Sequence, residues 1–149
     1  MSSPLPLWVR LNLWYLVISN VFPGVWAAFG PQSFYDFFPD FGLGLRWVAS
    51  DGPYNEHLIR DVGAFFLSVS ILPLLALLRP RLVAVRAVPL CLLLFNGLHL
   101  AYHLGHLHMV TPVNRYTSIA ALIGSLVLTV TLWLAPTDST PAAAPGVAS

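Results

Sequence analysis

The sequence predicts an all-α integral membrane protein, a four-helix bundle with an aromatic interfacial segment between its first and second helices. Three observations predict it. The 149 residues are 57% hydrophobic and 9% charged, against about 25% charged residues in an ordinary soluble domain. Four apolar stretches, residues 6–29, 53–78, 87–108 and 117–135, are each long enough to cross about 30 Å of hydrocarbon. Between the first two, residues 30–52 crowd Phe34, Tyr35, Phe37, Phe38, Phe41 and Trp47 into one short segment.

Composition also narrows the partners. The net charge is +1, and the seven basic residues are all arginines scattered along the chain, so there is no polybasic surface for nucleic acid. The lipid bilayer is the expected surrounding. The single cysteine, Cys91, makes an intrachain disulfide or a C-x-x-C motif impossible and is expected to be a small buried core residue.

In the first span, Arg10, Asn12 and Asn20 interrupt the apolar run and Trp26 lies near its end, a pattern unlike the clean short core of a cleaved secretory signal. Pro23-Gly24 is expected to kink this helix and turn Asn20 inward. Residues 30–52 carry Gly30-Pro31, Pro39, Gly42, Gly44 and Gly52-Pro53 together with Asp36, Asp40, Arg46 and Asp51, so they cannot span. Their aromatic rings suit the headgroup region. Two readings stand open for them: a cap across the mouth of the bundle, or rings that only anchor the loop to lipid.

The second span is expected to start near residue 53, with Ser50 or Asp51 as cap, Pro53 in the first turn and Glu56 against the positive end of the helix dipole. The third runs from about 87 to 108, and the fourth from about 117 to 135 with Arg115 and Tyr116 at its start. Residues 1–135 thus form one transmembrane domain. Residues 136–149, rich in Pro, Ala and small polar residues, read as a disordered tail. Arg79, Arg81 and Arg86 crowd the connection between the second and third spans, which predicts a cell-membrane protein with both termini cytoplasmic. Gly63, Gly97, Gly105 and Gly124 offer small-residue surfaces for close helix approach.

Chemistry concentrates at residues 96–108, N-G-L-H-L-A-Y-H-L-G-H-L-H, which hold four of the five histidines. At about 100° per residue, His99, His103 and His106 fall within roughly 60° of one another, with Asn96 at their edge and His108 opposite. Counting depth along the two antiparallel helices puts Glu56, His57, Arg60 and Asp61 at the height of His103 and His106, so Asp61 is expected to face His103, and Glu56 or His57 to face His106. The candidate ligand-binding set is therefore Glu56, His57, Arg60, Asp61, Asn96, His99, Tyr102, His103 and His106, in the outer leaflet. Of these, His57, Asp61, His99, His103 and His106 have the side chains that zinc, iron or copper sites use. A bis-histidine haem with Gly63, Gly97 and Gly105 making room is the other cofactor the pattern allows. The alternative is a purely structural hydrogen-bond network, but ionisable groups inside a membrane cost at least about 2.5 kcal/mol each, which favours a functional role.

The segments G-P-Y-N-E-H-L-I-R-D-V-G-A at residues 52–64 and H-L-A-Y-H-L-G-H-L at 99–107 resemble a group of small actinobacterial four-helix membrane proteins, broadly DoxX-like, to which no activity is assigned. The resemblance extends over most of residues 7–135 and implies a four-helix membrane fold and association with quinone-linked redox systems. The Gly-rich first helix of DoxX-like proteins is replaced here by one bearing Arg10, Asn12 and Asn20. Two functions follow as expectations. One is a binding or accessory protein that holds a small ligand, a quinone among the candidates, or a partner subunit, as a homo-oligomer or in a membrane complex. The other is a membrane oxidoreductase or hydrolase with a metal or haem at the histidine stripe.

Overall fold

A computed structural model of the chain describes residues 5–80, 82–109 and 111–136. Every regular element among them is helical: α1 (Leu7–Phe29), α2 (Pro31–Phe37), α3 (Glu56–Leu78), α4 (Ala87–Gly105) and α5 (Pro112–Thr131), with single 3₁₀ turns at Leu107–Met109 and Leu132–Leu134. Four of these are long and apolar enough to cross a membrane. The 23 residues of α1 and of α3 reach about 34 Å at 1.5 Å per residue, a little more than the hydrocarbon thickness. The molecule is a multi-pass membrane protein. Arg81, on which part of the orientation argument rests, and residues 137–149 of the expected tail lie outside the described residues.

The bundle is built of two helix pairs, α1 with α3 and α4 with α5, while α3 and α4 touch over a short length. What joins α1 to α3 so closely is the facing of Gly24 and Gly63: a Cβ on Gly63 would lie 2.5 Å from the Ala28 backbone nitrogen. Gly97, Gly105 and Gly124, expected to work in the same way, have open space where a side chain would go. Their helices meet neighbours through larger side chains instead, as where Phe95 of α4 packs on Phe65 and Phe66 of α3 with ring centroids 4.9 and 5.6 Å apart.

At the end where α1 begins and α5 finishes, Val9, Leu13, Leu16, Val69, Ala76, Val88, Leu92 and Leu132 form the tightly packed core. Polar clamps lie beside it. Asn12 Nδ2 donates to Leu128 O at 2.7 Å and Thr131 Oγ1 at 2.9 Å, tying α1 to α5. Outward faces are apolar as lipid requires: Leu90, Leu94 and Leu98 form one exposed stripe down α4. Cys91 lies beside that stripe and is exposed, which corrects its expected burial. Asn20 is buried as expected, and its Nδ2 donates to Leu16 O within an α1 that runs unbroken through Pro23.

The opposite end is closed by the aromatic segment. The short α2 and the loop after it place Phe34 in a second core with Ala27 and Ile59, and Trp26, Tyr35, Phe38, Val48 and Tyr54 pack around them. Three indole and phenol groups there are tied to the protein: Trp26 Nε1 donates to Ser33 Oγ, Trp47 Nε1 to Thr117 Oγ1, and the Tyr35 hydroxyl to Gly52 O. Phe37 and Phe41 are the rings that point outward. The segment thus caps the bundle with most of its rings and leaves these two exposed. The start of α3 differs from expectation: Asn55, with its side chain accepting from Leu58 N at 3.1 Å, is the cap. Ser50 and Asp51 are engaged elsewhere, Ser50 Oγ donating to Arg46 O and Asp51 turning toward His103.

Candidate functional site

Where the two helix pairs diverge beneath the cap, they leave a cavity of about 230 Å³. Its walls come from all sides: Leu58, Ile59, Val62 and Phe66 from α3, His99 and His103 from α4, Ser118 and Leu122 from α5, and Phe34, Phe38, Trp47, Val48 and Asp51 from the cap. The α3 residues at 58, 59, 62 and 66 recur at helical spacing and so share one face. A second cavity of about 160 Å³ lies deeper, and Tyr15, Ser19, Asn20, Phe95, Asn96 and Ser125 are among its walls. His99, Phe38, Phe66 and Leu122 line both. They form the partition between an upper and a lower chamber.

The polar groups of the upper chamber form a chain. Asp51 Oδ2 lies 3.8 Å from His103 Nδ1, and His103 Nε2 lies 3.0 Å from His99 Nε2. One ring nitrogen donates and the other accepts across the His99–His103 contact, the direction following the tautomers of the two rings. The two rings stack with centroids 4.8 Å apart, and Phe95 meets the edge of His99 from below. Asp51 was visible in the sequence only as a possible helix cap. Nothing there showed that its carboxylate reaches the histidines, because it comes from a loop whose path depends on Gly42, Gly44 and Gly52 with positive φ.

The other expected site residues divide into groups that do not meet. Asn96 faces inward and donates from Nδ2 to Thr129 Oγ1 at 3.1 Å, at the wall of the lower chamber. Tyr102 is half exposed, and His106 stacks on it at 4.1 Å with its Nδ1 near Tyr102 O. Helix α4 ends at Gly105, so His106 is its C-cap and leaves the stripe that His99 and His103 continue.

On α3 the expected partners of the histidines turn the other way. His57 Nε2 pairs with Asp61 Oδ2 at 3.3 Å, and their side chains are 88% and 61% exposed, so Asp61 does not face His103. Arg60 pairs with Glu56 at 2.9 Å and donates to Ala28 O at the end of α1, so Glu56 does not face His106 either. The reason is rotational. Gly63 must face α1, and two residues back along a helix is about 200° around it, which carries Asp61 to the outside. Among the described residues no three His, Cys, Asp or Glu side chains converge as a metal-ligand set. His57 and Asp61, His99 and His103, and His106 are three separate groups. The room that a haem would need at Gly63 is filled by Ala28.

The chambers together offer an apolar, aromatic enclosure with a short polar edge, a form suited to a small molecule with an apolar body and one polar end. Comparison with protein-family models, with curated proteins and with solved structures gives no match.

Proposed function

We propose that this membrane protein binds a small amphipathic molecule in the chamber beneath the cap. The observation that carries the proposal is the cleft itself: about 230 Å³ lined by aromatic and aliphatic side chains, with Asp51, His103 and His99 meeting along one wall. Apolar walls bury the body of the ligand, while the carboxylate–imidazole–imidazole chain orients its polar end. The metal or haem oxidoreductase remains the competing class, and it needs the same histidines.

Mass spectrometry of small molecules extracted from the purified protein separates the two, when combined with metal analysis and an absorption spectrum. The expected result is a co-purifying organic molecule that is lost from His103→Ala and from Ser118→Phe, which fills the chamber from α5, and kept by His108→Ala. A stoichiometric metal or a Soret band that disappears with His99→Ala would instead establish the oxidoreductase class.

The orientation belongs to the same proposal. Arg79 and Arg86 flank the α3–α4 connection at the end away from the cap, so that end is cytoplasmic with both termini, and the chamber opens in the outer leaflet. A cysteine placed at Asp40 is expected to react with an impermeant maleimide on intact cells. Reaction only after permeabilisation would invert the assignment.

A further inference from the structure

Resting on the ligand-binding reading, the class of ligand can be narrowed by asking which hydrogen-bonding groups of the two chambers are left for it. Several donors are used within the protein. The Trp47 N–H goes to Thr117 and the Asn96 Nδ2 to Thr129. The Asn20 Nδ2 goes to Leu16 O, and one imidazole N–H is taken by the His99–His103 contact. The hydroxyls of Ser19 and Ser118 donate to backbone carbonyls of their own helices. What stays open in the lower chamber is of both kinds, since each asparagine amide keeps a second N–H and the Tyr15 and Ser125 hydroxyls line it too. Asn20 and Asn96, both lining the lower chamber, each have an amide oxygen that accepts no hydrogen bond among the described residues, and neither oxygen is sealed from the cavity.

Charge is what separates the ligand classes. Asp51 is the one carboxylate among the residues that line the upper chamber, and no arginine lines either chamber among the described residues. The chain contains no lysine. Arg60, the cation nearest along α3, is held outside by Glu56 and Ala28 O. Phe34, Phe38 and Trp47 line the same chamber as Asp51, with Phe38 4.6 Å from Phe34 and 5.9 Å from Trp47 between ring centroids. Since the indole N–H is engaged elsewhere, Trp47 has its ring left to offer. Aromatic rings beside a carboxylate make a receptor for an ammonium group, whose charge is attracted to the negative ring faces as well as to the carboxylate. An anion would meet the Asp51 carboxylate with no arginine or lysine among the lining residues to offset the repulsion.

We therefore infer that the ligand is a lipophilic amine, bound as its ammonium, with the cationic end against Asp51 and the Phe34–Phe38–Trp47 rings and the apolar body running past His99 toward the lower chamber. Three probes on one skeleton test this: phenylbutylamine, phenylbutanol and phenylbutyrate, measured by equilibrium dialysis against the protein in uncharged nanodiscs, with empty nanodiscs subtracted. The amine is expected to bind about tenfold more tightly than the alcohol, and the butyrate least. Asp51→Asn should bring the amine to the level of the alcohol.

An alcohol that binds as tightly as the amine to the unmodified protein, and is lost from Ser118→Phe, would overturn the cationic class while leaving the chamber as a binding site. If all three probes bind Ser118→Phe as they bind the unmodified protein, the chamber is not the site and both readings fall. The ranking on the unmodified protein is decisive even where Asp51→Asn folds poorly.

Discussion

Replacing Gly63 with alanine tests the architecture that shapes the chamber. The added Cβ would lie 2.5 Å from Ala28 N, 2.9 Å from Ala28 Cα and 2.9 Å from Gly24 O. Comfortable contact between carbons begins near 3.5 Å, so α1 and α3 must part by about 1 Å. All three obstacles are backbone atoms, which cannot swing aside as a side chain would. Overpacking of this kind costs about 1–3 kcal/mol, here toward the upper end, and the better helix propensity of alanine returns about 1 kcal/mol, leaving a net loss of about 2 kcal/mol. For a chain of this size that lowers the melting midpoint by roughly 4–8 °C. Gly97→Ala, where nothing lies within 4 Å of the new carbon, should gain the propensity term alone. Thermal unfolding in detergent, followed by size-exclusion fluorescence, compares the two directly. Because Ile59, Val62 and Phe66 lie on the same helix within four residues of Gly63, the Gly63 variant should also bind ligand more weakly. A Gly63→Ala protein that melts at or above the unmodified one, or a Gly97→Ala protein that melts lower than Gly63→Ala, would show that the close α1–α3 approach is not what holds this bundle.

Two further outcomes follow from the placement of polar groups. The double substitution His57→Ala, Asp61→Asn removes a pair that is largely exposed, so it should cost under about 1 kcal/mol and leave ligand content unchanged; loss of ligand with fold retained would put this pair back into the site. Asn55→Ala should lower stability by about 1 kcal/mol through loss of the α3 cap, whereas Ser50→Ala, whose hydroxyl serves only Arg46 O, should not approach that value in the same melting assay.

Length, apolarity and the position of the breaks made the four spans legible, because a bilayer imposes a minimum run of apolar residues whatever their neighbours. Span ends were less so. Ser50, Asp51 and Asn55 are all competent caps by residue type, and only the fold shows that Ser50 is bonded to Arg46 and Asp51 is drawn to His103, leaving the role to Asn55. The glycines taught the same lesson. Gly63 and Gly97 look alike in sequence, and what distinguishes them is the partner helix, present at one and absent at the other.

The site was half legible for a reason that can be stated in coordinates of a cylinder. Counting residues from the membrane edge fixes depth, and His99 and His103 do lie close to Ile59 and Val62 of α3 around one chamber. Depth says nothing about rotation. Each residue turns the helix by about 100°, so the α3 positions that share a level with His103 are spread around the full circumference. A rotational constraint on α3 that decides among them is its close contact with α1 at Gly63. That contact sends Arg60 toward α1 and Asp61 outward, and leaves Leu58, Ile59 and Val62 facing the histidines. The charge that the histidines lack on α3 is supplied from the cap by Asp51.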